Sequence, residues 1–372
     1  MTLANQKKAK KVTLVSKILY AASNMEHINN FHLPYISALR EDGHEVKVMA
    51  HGEGADYDIP FEKKHLSWQN LKNRKLIKNI ILKERFDIII VNTTLAAFHI
   101  RRAIPRKRRP RLMNIVHGYL FADNDTSSQK RVLLFCEKIH KKKTDEIVVM
   151  NKEDLKIATE NSLTIGCVKE ILGMGATVRD SVFSVDEIRE QMKSKNKFVM
   201  TFVGELSARK NQKLLIAAMP EIKMQIPNAM LWLIGDGSIK DELLAECEEL
   251  GVSDCVVFTG TRTNPFDYIR ASDLYVSASK IEGLPFNIME AFGCGKITLA
   301  SDIKGHRDII EDGKSGFLYP SGDINEFIRL VLAVHNGELT IDPECAKARY
   351  KEFSFDNVFP KTYGVIKEFV EK

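Results

Sequence analysis

The stretch KIEGLPFNIMEAFGCGK (280–296) sets Glu282 and Glu290 on either side of a Gly-Leu-Pro turn and a short apolar run. Pro285 disfavours helix at Leu284 but is tolerated in a helix's first turn, so a helix should begin between Pro285 and Asn287. Glu282 then lies in the loop before that helix, and Glu290 about one turn inside it. Amides from Gly283 to Asn287 would stand at the positive helix end, which suits a diphosphate. The carboxylates could take hydrogen bonds from sugar hydroxyls on either side of it. Solvated loop and helix acids would produce the same bare spacing, so its meaning depends on the surrounding chain.

On both sides of this stretch, strand and helix signals alternate. DLYVSAS precedes it and KITLAS follows. Upstream come KFVMTFVG, a helix through LLIAAMPEI, AMLWLIGDG, a helix at DELLAECEEL, and CVVFTG. The first half repeats the pattern with VTLVSKILYAA, an amphipathic helix over 30–42, EVKVMA, FDIIIVN, RLMNIVH and DEIVVM. Such alternation predicts an α/β protein of two doubly wound, Rossmann-like parallel-sheet domains. The polar segment ATVRDSVFSVDEIREQMKSKNK (176–197) marks the boundary, giving domains at 1–180 and 181–353 with a terminal helix at 354–372. A length of 372 residues with 44% hydrophobic and 28% charged content is enough for two buried cores.

The net charge of +6 hides an asymmetry. Residues 1–180 carry 32 Lys and Arg against 20 Asp and Glu, whereas the remainder carries 23 against 29. The excess concentrates in RRAIPRKRRPR (101–111) and KKK (141–143), as on a solvated surface or on one that meets an anionic partner. The run lacks interleaved aromatics and any nucleic-acid module, which argues against nucleic-acid binding. Six scattered cysteines without a CxxC pair point to a reducing, cytoplasmic setting. No apolar run is long enough to span a bilayer.

FVGELSARKNQ (202–212) follows a strand and opens a helix. Gly204 lets the backbone turn close to a ligand, and Arg209 and Lys210 add positive charge, a set that suits phosphate. A βα turn with solvated basic residues would look the same. LIGDGS (233–238) ends another strand with a tight turn. In NIVHGYLF (114–121), His117 closes a strand just before Gly118. His27 and His32 are five apart, a poor match to an α-helix, so they read as structural residues and not as a metal pair. DND (123–125) resembles the acidic motif of metal-dependent sugar transferases but falls in a polar loop. No G-x-G-x-x-G or Walker pattern follows a strand.

In this order the segments resemble a retaining glycosyltransferase of family 4, with the two-Rossmann-domain GT-B fold. The densest part runs from 271 to 323. The HINNFHLPYISALREDGHEVKVMA and HGYLF segments are similar to the bacterial subgroup that builds exopolysaccharide, capsule and related surface glycans. The resemblance implies that Glu282 binds hydroxyls of the donor sugar and Glu290 the nucleotide ribose. Gly283, Leu284, Pro285 and Phe286 would bring backbone to the sugar and diphosphate. Lys210 would neutralise the leaving diphosphate, Arg262 would sit near the nucleobase, and His117 would reach the reacting sugar from the first domain. The last helix should cross back onto that domain. The family's Gly-Arg-Leu is Gly204-Glu205-Leu206 here, with Arg209 placed to compensate, and a Gly-rich amino-terminal loop of some relatives is absent.

The implied reaction is front-face transfer from a nucleoside-diphosphate sugar, with UDP the expected carrier, needing no metal or other cofactor. The implied acceptor is a glycan or a polyprenyl-diphosphate-linked sugar, met at the inner membrane face through the basic first domain. A nucleotide-sugar 2-epimerase and a non-catalytic nucleotide-sugar-binding subunit are the competing readings.

Overall fold

A computed structural model describes residues 15–62, 67–105, 107 and 109–372. The alternation resolves into two sheets. The first holds β1 (Lys17–Asn24), β2 (Glu45–His51), β3 (Tyr57–Asp58), β4 (Ile88–Asn92), β5 (Arg111–Val116), β6 (Glu146–Val149) and β7 (Cys167–Glu170). Their order is β3-β2-β1-β4-β5-β6-β7. The second holds β8 (Phe198–Val203), β9 (Ala229–Ile234), β10 (Val256–Gly260), β11 (Leu274–Ser277), β12 (Thr298–Asp302) and β13 (Phe317–Pro320), in the order β10-β9-β8-β11-β12-β13. All neighbouring strands are parallel. IIIVN (88–92) and AMLWLI (229–234) are buried throughout, as continuous apolar strands must be when helices cover both faces. Each sheet reverses direction beside its first strand, so each has a crevice beyond its strands' carboxyl ends. The fold class is the one the sequence predicts.

The first helix departs from the expected 30–42 span. It begins at Met25, widens into a π turn over Ile28–His32, and continues as an α-helix through Leu33–Glu41. Pro34 is the cause. It has no N–H for the carbonyl four residues back, and its ring would collide there, so the preceding turn expands and Leu33 N–H reaches Ile28 O.

The terminal helix Phe355–Glu371 lies on the first domain. Its Thr362 hydroxyl donates to Gly173 O at 2.9 Å, and Tyr363 and Lys367 both bond Asp42, at 2.7 and 2.6 Å. Ile366, Phe369 and Val370 join the apolar cluster around Ile18 and Tyr20. A second tie crosses between the domains further along the cleft. The buried Lys304 ammonium donates at 2.7 Å to Tyr119 O, Phe121 O and Asp154 Oδ1.

The basic run is not a uniform surface. Arg101 is fully buried and holds Glu137 with two bonds of 2.7 Å, Arg109 holds Asp145 with two of 2.6 Å, and Arg111 lies over the Phe369 ring. These arginines are structural, and Arg106 and Arg108 lie outside the described residues. The reading of the whole run as an outward-facing patch is corrected accordingly: desolvated guanidinium groups need partners, and here two have found carboxylates and the third an aromatic ring.

Candidate active site in the interdomain cleft

The floor of the cleft is made of strand ends packed backbone against backbone. A Cβ on Gly235 would stand 2.0 Å from Gly204 O, and one on Gly237 would stand 2.1 Å from Leu206 O. Side chains cannot fit there, which explains the two glycines after β9. The turn that follows Gly204 carries Arg209 and Lys210 toward the loop at Glu282. Arg209 Nη1 donates to Glu282 Oε2 at 2.8 Å and to Ile281 O at 3.2 Å. Lys210 Nζ lies 2.7 Å from Glu282 Oε1. Glu205, in the place of the family's arginine, is exposed to solvent.

The helix after this loop runs over Phe286–Gly293 with Pro285 at its N-cap, so the two glutamates are set apart as expected. Their electrostatics diverge. Burial alone would raise the Glu282 carboxyl, but Lys210, Arg209 and His306 outweigh it and hold the group at about 2. Glu290 is pushed up to about 7 by burial, against weaker opposition from Arg179 and Lys210. They also face different spaces. Glu282 lines a cleft of about 330 Å³ with His117 and Gly118, whereas Glu290 lines one of about 610 Å³ with Arg179 and Arg262. Phe286 borders both. A permanently ionised acceptor stands at one end of this continuous surface and a readily protonated carboxyl at the other.

The two domains meet tightly over the smaller cleft. A Cβ on Gly283 would fall 1.7 Å from His117 O, and one on Gly118 would fall 2.5 Å from Gly283 Cα. Gly118 also has φ +125, which favours glycine. Asn151 Nδ2 donates to Gly283 O at 3.0 Å and reinforces the contact. His117 thus stands at the carboxyl end of β5 beside Glu282, although 165 residues of chain separate the two.

Arg262 is exposed, with its guanidinium over the Tyr268 ring, at the mouth of the Glu290 cleft. Leu284 is buried against Gly173. The structure therefore brings Arg209, Glu282, Gly283, Phe286 and His117 to the smaller cleft and Arg262, Phe286 and Glu290 to the larger, with Lys210 against Glu282, whereas Gly204, Leu284 and Pro285 line neither.

Two domain models match the chain, "Glycosyl transferases group 1" over residues 184–352 and "Glycosyltransferase Family 4" over residues 35–160. The putative glycosyltransferase EpsD of Bacillus subtilis is 30% identical over 333 residues, covering 86% of this chain and 87% of its own. The chain belongs to glycosyltransferase family 4. Another relative, from Escherichia coli, is named UDP-Gal:α-D-GlcNAc-diphosphoundecaprenol α-1,3-galactosyltransferase. It is 24% identical over 273 residues, covering 72% of this chain and 70% of its own. This glycosyltransferase also shares its fold with Anabaena Alr3699/HepE, solved in complex with UDP-glucose. That match has a TM-score of 0.75 at 19% identity and covers 95% of this chain and all of that one.

Several cleft residues of this glycosyltransferase escaped the sequence reading. His32 is buried behind His117, with their Nε2 atoms 2.9 Å apart, and His27 stands beside both. The spacing of five that counted against the pair presumes an α-helix; in the π turn residues five apart come to the same side. Pro34, a proline inside a helical pattern, was the available signal. Thr93 follows β4 with φ +68, an outlier for a β-branched residue, and bonds Ser23 Oγ at 2.6 Å at the cleft's edge. Nothing in its local sequence announces that strain. The acids of DND serve the loop itself, Asp123 pairing with Lys156 and Asp125 accepting from Ser127 N–H.

Proposed function

We propose that this enzyme transfers a sugar from a UDP-sugar, with retention at the anomeric carbon, to a lipid-linked glycan acceptor in bacterial surface-polysaccharide assembly. The observation that carries this reading is the convergence of Glu282, Arg209, Lys210 and His117 where the Gly118 and Gly283 backbones touch. Glu282 is an obligate anion that accepts hydrogen bonds from donor-sugar hydroxyls. Arg209 and Lys210 supply positive charge where the diphosphate leaves, stabilising charge that develops in the transition state. Glu290, in the larger cleft beside Arg179 and Arg262, takes the ribose and nucleobase end.

Glu282 is held near pH 2 by two cations, which makes it a poor proton acceptor at neutral pH. The acceptor hydroxyl therefore loses its proton to an oxygen of the departing diphosphate, on the same face as the incoming nucleophile, and the reaction requires no metal ion. His117 orients the reacting sugar from the first-domain side.

Acceptor choice is supported by the named substrate of the Escherichia coli relative, a diphosphoundecaprenol-linked sugar. It is also supported by an apolar and basic face on this chain. Helix Ser128–Lys138 and its neighbours expose Leu120, Val132, Phe135 and Ile139 beside Lys130, Arg131 and Lys138. No helix among the described residues is long and apolar enough to cross a membrane. This face would seat the enzyme on the anionic inner surface of the cell membrane, each basic residue near that surface adding about 1 kcal/mol.

The test is incubation with a panel of UDP-sugars and a short-chain polyprenyl-diphosphate sugar, with product anomers read by NMR. An α-linked product from an α-linked donor is expected. An inverted product, or epimerisation of donor without acceptor, would overturn the reading.

A further inference from the structure

We propose that His27, His32 and His117 form a three-histidine site for a divalent transition metal of the zinc class, opening onto the smaller cleft. The three imidazoles bring ligand nitrogens within 4.8 Å of one another. His32 Nε2 lies 2.9 Å from His117 Nε2 and 3.2 Å from His27 Nε2. The rings meet edge-on or tilted, with interplanar angles of 77° and 43° from His32 to those two partners, so lone pairs converge instead of faces stacking.

Proton bookkeeping favours an ion at this point. His32 is fully buried, and its Nδ1 is engaged by the Tyr20 hydroxyl at 2.9 Å. A neutral imidazole nitrogen either donates one proton or offers one lone pair. His32 Nε2 cannot make two linear hydrogen bonds in either state, so one of its two short nitrogen contacts is left without full compensation. A metal replaces both contacts by accepting all three lone pairs.

The dimensions suit it. A tetrahedral ion at 2.0–2.1 Å from each nitrogen holds its ligands roughly 3.3 Å apart. The two measured separations differ from that by only a few tenths of an ångström. The third, His27 to His117, is at most 4.8 Å and closes by rotation of the partly exposed His27 ring. Tyr20 is the outer partner that orients His32, as metal-bound histidines commonly require. His27 and His117 also line the cleft shared with Glu282, which leaves the fourth position accessible. The π turn caused by Pro34 is what makes the spacing of five compatible with chelation.

An ion bound here takes up His117 Nε2, the nitrogen that His117 would otherwise offer the reacting sugar, so it inhibits transfer. That consequence rests on the proposed function; the binding itself does not.

The experiment uses the full chain, stripped with a chelator and titrated with Zn²⁺ by calorimetry and with Co²⁺ by visible absorption. One equivalent per chain and a tetrahedral Co²⁺ spectrum are expected. His27→Ala, at a partly exposed position, should weaken binding at least ~10-fold with circular dichroism unchanged. Tyr20→Phe should weaken it roughly 10–100-fold, while His335→Ala, at an exposed position of the second domain, should not change it. Absence of saturable 1:1 binding, or equal affinity in His27→Ala, overturns the site. Saturable binding that leaves transfer at its full rate keeps the site and removes the role of His117 at the reacting sugar.

Discussion

Replacing Glu290 with glutamine should make the protein more stable above pH 7 and a poorer binder of nucleotide. Unfolded, this carboxyl ionises near its ordinary 4.5; folded, burial moves it to about 7. Below pH 4.5 the group is protonated in both states and costs nothing. Between 4.5 and 7 the folded state retains a proton that the unfolded state has released, so stability falls as pH rises. Above 7 the whole penalty is present, about 3 kcal/mol for a rise of this size. The side chain borders an open cleft, and solvent there screens part of the cost, so glutamine should recover about 1–2 kcal/mol. In a chain of this size that is a melting temperature roughly 1–3 °C higher at pH 8, with no difference at pH 4.5. Differential scanning calorimetry at both pH values measures it. In parallel, UDP affinity should fall about tenfold, because a charged acceptor is lost from the ribose end. A variant that melts at or below the wild-type temperature at pH 8 would refute the claim that burial, unrelieved by Arg179 and Lys210, destabilises the ionised form.

Three further outcomes follow from particular contacts. Lys304→Ala strands the buried Asp154 between the domains and should cost about 3–5 kcal/mol; an Asp154→Asn, Lys304→Met double variant should regain at least half of that in chemical denaturation. Gly283→Ala places a methyl group against His117 O, so the cleft walls must part, and turnover should drop at least ~100-fold with the circular dichroism spectrum unchanged. Near-normal turnover would mean that the walls need not touch. Phe135→Glu combined with Val132→Glu should abolish co-flotation with anionic vesicles while leaving transfer to a short, soluble acceptor analogue intact; undiminished flotation would place membrane contact elsewhere.

Both the sheets and the principal loop were legible in the sequence. Continuous β-branched runs such as IIIVN require burial on both faces, and Pro285 forces a helix start that separates Glu282 from Glu290. The family motif then supplied roles for both glutamates and for Lys210. Local patterns could not reveal which side chains meet across the domains. Arg209 and Lys210 converge on Glu282 because two loops 70 residues apart close on each other, and that closure, with burial, drives the two glutamates' protonation in opposite directions. The RRAIPRKRRPR run looked like open surface because charge in a sequence carries no record of its partners; Glu137 and Asp145 bond two of its arginines from distant elements.

The sequence by itself determined the elements, their parallel order and the glycines on which the cleft depends, because hydrophobic period, proline and glycine act within a few residues. Only the tertiary structure decided the histidine cluster. One proline's missing N–H opened a π turn, the turn aligned His27 with His32, and β5 delivered His117 to them from 85 residues away.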